Sequence, residues 1–81
     1  MQKFPALEDN QVALVRAHSS TGHILDENNI LALHKEQNVY TVFSNLDLAI
    51  EYAENAVKTN KDLEIVIYGK QKEVIKYITP V

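Results

Sequence analysis

Residues 44–59, SNLDLAIEYAENAVKT, decide the fold. Leu46, Ala49, Ile50, Ala53, Ala56 and Val57 recur at spacings of three and four, which lines them along one face of a helix. Ser44 supplies the hydroxyl of an N-cap, and Asp47 stands three residues on, where a capping box has its acidic partner. Asn60 tolerates the left-handed conformation that ends a helix, and Lys58 and Lys61 bring positive charge to the negative end of the dipole. Burying Leu46, Ile50 and Val57 on a sheet would contribute about 1.5–3 kcal/mol each before conformational entropy is subtracted. Leu48 and Tyr52, four apart, point away from this face and form a second, minor apolar stripe.

After the helix, residues 63–68 (LEIVIY) predict a strand, residues 69–72 (GKQK) a hairpin connection, and residues 73–79 (EVIKYIT) the returning strand, which Pro80 ends. A two- or four-residue loop pairs Tyr68 with Glu73 and Val66 with Ile75. Leu63, Ile65 and Ile67 then share a side with Val74, Lys76 and Ile78, and that richer side should meet the helix. The opposite side carries Glu64, Val66, Tyr68, Ile75 and Tyr77 and is half apolar, with no second helix in the sequence to cover it.

Before the helix, residues 38–44 (NVYTVFS) and 11–17 (QVALVRA) predict two more strands. The earlier one is apolar on both sides, as an interior strand is: Val12, Leu14 and Arg16 on one, Ala13, Val15 and Ala17 on the other. Residues 18–29 (HSSTGHILDENN) are rich in turn formers and predict a long irregular connection, with Ile24 and Leu25 anchoring its middle. A strand over residues 30–35 is preferred to a short helix running from Asp26. Residues 1–10 form an N-terminal arm in which Phe4 and Leu7 could tuck against the domain. The expected fold is α+β: a single domain over residues 1–81, with about five strands in one antiparallel or mixed sheet and one helix on one face, in the order β-β-β-α-β-β. A right-handed crossover is expected at the helix if the strands it joins are parallel.

The segment VFSNLDLAIEYAENAV followed by a two-strand hairpin resembles small bacterial domains built on a strand–helix–hairpin plan. The likeness covers roughly the C-terminal half and rests on pattern alone. It implies a fold and no function.

Composition excludes several chemistries. The 81 residues contain no cysteine, so disulfides, thiolate zinc sites and cysteine nucleophiles are absent. No apolar run is long enough to span a membrane, and the opening MQKFPALEDNQ lacks the apolar core of a signal peptide, so a soluble, cytoplasmic protein with no membrane partner is expected. A net charge of −3 weighs against nucleic acid as the main partner. The one basic feature is Lys70, Lys72 and Lys76, and nucleic-acid binding through this C-terminal hairpin and its tyrosines is the third reading of function.

Candidate chemistry centres on the loop from His18 to Glu27. His18, His23 and His34, with Asp26 or Glu27, could in principle give zinc a nitrogen–oxygen site, but H-x4-H matches no strict signature. Ser19, Ser20, Thr21 and Gly22 could offer amides and hydroxyls to a phosphate, or a serine nucleophile beside a histidine base, yet neither a P-loop nor a nucleophile elbow is present. No enzymatic activity, catalytic residue or cofactor is expected. The surfaces left over are more informative: Leu48 and Tyr52 on the helix, and Val66, Tyr68, Ile75 and Tyr77 on the sheet. Tyrosine at such a patch suits contact with another protein. The leading expectation is a small protein-binding module, such as an inhibitor, immunity-type protein, adaptor or accessory subunit, that meets another protein or its own copy as a homodimer. A small-ligand or metal-binding domain using the His18-to-Glu27 loop is the alternative.

Overall fold

The structure, a computed structural model, describes residues 3–80. Its elements are β1 (Val12–His18), β2 (Ile24–Leu25), β3 (Tyr40–Phe43), α1 (Leu46–Thr59), β4 (Leu63–Tyr68) and β5 (Val74–Ile78). They make one antiparallel five-stranded sheet with a single helix, in the expected β-β-β-α-β-β order.

β1 is the axis of the sheet. One of its edges pairs with β4, from Ala13 opposite Tyr68 to His18 opposite Leu63. The other edge is divided end to end: residues 12–15 pair with β3, while Arg16 and Ala17 pair with Leu25 and Ile24 of β2. Both β3 and β4 run antiparallel to β1, so they are parallel to one another and α1 crosses over β1 to join them. β5 pairs with β4 and forms the far edge.

Alternation along the strands sets the two faces. Val12 and Leu14 of β1, Leu63, Ile65 and Ile67 of β4, and Ile78 of β5 meet Ala49, Ala53 and Val57 of α1, with Phe43, Leu46 and Ile50 at the margin. Two alanines at the contact let the helix lie close to the sheet. On the opposite face Ala13, Val15 and Ala17 are also buried. Here the N-terminal arm takes the place of a second helix. The Phe4 ring packs edge-on against Tyr40 at 5.4 Å and Tyr68 at 6.0 Å between centroids, and Leu7 is buried.

The second strand is not over residues 30–35 but at Ile24–Leu25. After β1 the chain turns tightly, with the His18 N–H donating to the His23 carbonyl, so Ile24 and Leu25 come straight back onto β1. Asp26 then deflects it. Its Oδ1 accepts from the N–H groups of Asn28 and Ile30, and its Oδ2 from the Gln37 amide. The Gln37 Oε1 in turn accepts from the N–H groups of Leu33 and His34. Donors that a strand would send to a neighbour are held by two side chains, Asp26 and Gln37, and only Leu31 makes an isolated bridge, to Leu25.

Both helix caps differ from expectation. Asn45, not Ser44, is the N-cap: its backbone is extended and its Oδ1 accepts from the Leu48 N–H at 2.9 Å. Asn60 ends the helix with φ −131°, in extended rather than left-handed conformation.

The final hairpin keeps the expected faces by an unexpected route. The Lys72 N–H donates to the Gly69 carbonyl and the Gly69 N–H to the Glu73 carbonyl, so the loop has three residues, Lys70 to Lys72, with Lys72 at φ 65°. This places Val74, not Glu73, opposite Tyr68. A bulge then follows, and Ile67 meets Lys76, Val66 meets Tyr77 and Ile65 meets Ile78. Two one-residue displacements cancel. Lys76 and Ile78 remain on the helix side, while Val74 and Ile75 do not sit where a regular hairpin would place them.

Asn45→Ala is expected to lower the unfolding free energy by about 1 kcal/mol, because a helix N–H loses its acceptor. Ser44→Ala should change it by less than about 0.5 kcal/mol. Urea denaturation of the two variants checks the assignment of the cap.

Candidate functional site

The residues expected at a binding surface are dispersed. Val66 and Tyr77 are cross-strand partners on the face opposite the helix, and Tyr77 is 54% exposed. Its hydroxyl donates to the Glu64 carboxylate; that bond foremost, then burial and the Glu64 charge, raises the Tyr77 pKa above its ordinary value of 10.0. Tyr68 lies on the same face but carries Phe4. Ile75, at the bulge, borders a groove with Leu46 and Val12 at the N-terminal end of the helix. Of the helical pair, Leu48 and Tyr52 are both exposed, and Tyr52 also packs on Phe43 with ring centroids 5.5 Å apart.

The largest exposed apolar feature of the sheet is therefore β5 itself. Four of its five residues are exposed and only Ile78 is buried. Val74, misplaced by the regular-hairpin register, is 60% exposed. Beside β5, on the helix side, runs a groove of about 640 Å³ lined by Glu54, Val57 and Lys58 of α1, Lys61, and Lys76 and Ile78 of β5. A second apolar group, Ile30, Leu31 and Leu33, is exposed on the β2–β3 loop, in the segment whose sequence predicts a strand.

Arg16 lies on the helix side of β1, as strand alternation predicts, in surroundings that alternation does not specify. It is 3% exposed, beneath the helix. Its Nη2 donates to Thr41 Oγ1 at 2.9 Å and to the Tyr52 hydroxyl at 3.1 Å, the guanidinium carbon lies 5.4 Å from the Tyr52 ring centroid, and Nη1 has no partner among the described residues. No carboxylate is paired with it among the described residues. Asp26 is also buried. The Ile30 N–H first, then the Gln37 amide and the Asn28 N–H, lower its pKa from the ordinary 3.8; burial opposes them and the Arg16 charge adds a smaller push in the same direction.

The histidine loop does not gather its histidines. His18 ends β1, with Nδ1 2.9 Å from Ser20 Oγ, while His23 and His34 are exposed. Among the described residues no group of three His, Asp or Glu side chains is arranged to hold a metal ion. Three of the four amides that could cradle an anion are engaged within the chain: Ser19 donates to Asp62, and Thr21 and Gly22 to His18; the His23 N–H beside them donates to Thr21 Oγ1. Ser20 and His18 are thus adjacent, but the surrounding N–H groups turn the chain rather than face an oxyanion.

The three C-terminal lysines do not form one surface. Lys70 pairs with Asp9 at 2.8 Å, the Lys72 ammonium lies 5.7 Å from the Phe4 ring centroid, and Lys76 faces the helix side. No helix of the described residues is long and apolar enough to cross a membrane. Compared with known proteins, the chain matches no family model, no curated protein and no solved structure.

The depressed pKa of Asp26 gives a signed pH dependence. Its contribution to stability is present above the unfolded value of 3.8 and is lost as pH falls through the lower folded value. Urea midpoints measured from neutral pH to below 3.8 should fall less steeply in Asp26→Asn than in the parent chain. Arg16 yields a second expectation. Arg16→Met should unfold at an equal or higher urea concentration, because an unpaired buried cation is replaced by apolar volume. Tyr52→Phe, which removes an acceptor but keeps the cation, should lose about 1–3 kcal/mol.

Proposed function

We propose that the protein is a non-enzymatic binding module that works through protein–protein contact, with β5 and the adjoining Val66–Tyr77 pair as its working surface. The observation that carries this reading is the exposure of Val74, Ile75 and Tyr77 on a strand with one edge unpaired among the described residues. A chain of this size has little apolar area to spare from its core, and contiguous exposed apolar groups at a free edge mark interaction sites. The Tyr77 ring adds area with a polar tip, and its bond to Glu64 holds it in place. An inhibitor, an adaptor and an accessory subunit all act in this way, and a homodimer is the same reading with the second copy as partner.

The test is capture from a lysate of the source cells, with the tag at either end, beside light scattering of the purified chain. The parent chain should retain one partner in stoichiometric amount or run as a dimer. The double variant Val74→Ser, Tyr77→Ser should weaken that contact by at least about tenfold while still unfolding cooperatively. Equal capture by the variant, or a monomer that captures nothing, overturns the proposal.

A further inference from the structure

We propose that β5 receives an extended acidic segment of the partner protein as an added strand. This rests on the binding-module reading and names the chemistry of its partner. Among the described residues the outer edge of β5 has no neighbour, so about half of its backbone N–H and C=O groups face outward, free to continue the ladder. The strand's five residues offer about 17 Å of edge, enough for a segment of similar length.

The side chains on either side of that edge select what can lie there. On the helix side the groove beside β5 presents Lys58, Lys61 and Lys76 against one acid, Glu54, over an apolar floor of Val57 and Ile78. The chain as a whole carries −3, so this is a local reversal of sign. None of the three lysines takes part in an ion pair among the described residues, where the pair present is Lys70–Asp9. On the other side, Val74 and Tyr77 stand exposed.

Lys58 at the end of the helix complements the dipole, and a lysine within an edge strand is an ordinary guard against self-pairing. That guard is what identifies the occupant. A second copy centred on β5 would bring Lys76 against its own equivalent, and like charges directly opposite are unfavourable. A strand with Asp or Glu at that position meets attraction instead, reinforced by Lys58 and Lys61. The accepted segment therefore alternates: acidic residues toward the helix, apolar or aromatic residues toward Val74 and Tyr77.

The probes are short peptides of alternating glutamate and valine, the corresponding lysine–valine peptides, and the glutamate peptide with a central proline, each titrated into the full chain and followed by amide NMR. The glutamate peptide should slow hydrogen exchange at β5 and shift the Lys58, Lys61 and Lys76 signals. The lysine and proline peptides should do neither. Lys58→Glu with Lys61→Glu, which leaves β5 untouched, should weaken the glutamate peptide on the order of tenfold, and Lys76→Glu should reverse the preference between acidic and basic peptides. Equal binding of the lysine or proline peptide, or no protection of β5 by any peptide, overturns the proposal. The partner captured from lysate separates the two readings. If Val74→Ser, Tyr77→Ser loses it but Lys58→Glu, Lys61→Glu keeps it, the binding module stands and the acidic strand is overturned; loss in both supports the strand.

Discussion

Every part of this molecule is hung on a strand that is buried on both faces and paired along both edges. Residues 12–17 of β1 are all buried, and β2, β3 and β4 each bond to it directly. Such a strand needs two covers, and a chain of 81 residues with one helix can build only one of them from regular structure. The second cover is the arm, with Phe4 against Tyr40 and Tyr68 and with Leu7 buried. The arm reaches Tyr40 and Tyr68 but leaves β5 exposed. The candidate surface is thus what remains after the central strand has been sealed.

The elements that were readable from sequence share a physical cause. α1 and β4 have periodic apolar residues facing a single core, so their type and orientation follow from spacing alone. The interior position of β1 was legible for the same reason, with apolar residues on both of its sides. What escaped was decided by individual polar side chains. Residues 30–35 have strand-like content, yet Gln37 holds two of their donors and Asp26 ties the loop from the other end. Nothing in the composition distinguishes that Gln and Asp from any others. At the helix start the sequence offers two adjacent cap residues, and only the backbone geometry chooses Asn45. Of the candidate surface, Val66 and Tyr77 were legible through strand alternation, whereas Val74 depended on a turn length and a bulge that alternation does not encode.

Charge is distributed with similar economy. Asp26 is buried with its carboxylate saturated by N–H donors, which is why it stays ionised and orders a loop. Arg16 is buried with one nitrogen unpartnered among the described residues and a tyrosine ring over it. A charge held by an aromatic face and two hydroxyl oxygens is orientationally restricted, so it ties β1, β3 and α1 to a common geometry at the margin of the core. The groove lysines lie at the opposite margin, by β5, where solvent can screen them until something lies across them.

The hairpin has a further consequence for how this chain can change in length. Its three-residue turn and its bulge each add one residue, and the sum restores the alternation that keeps Ile78 in the core and Lys76 on the helix side. Loss of either residue alone would exchange the two faces of β5, driving Tyr77 inward and Ile78 out. Loss of both would leave the faces as they are. Within residues 69–75, insertions and deletions are therefore tolerated in twos, and the length of this segment in any descendant of the chain is a parity check on its fold.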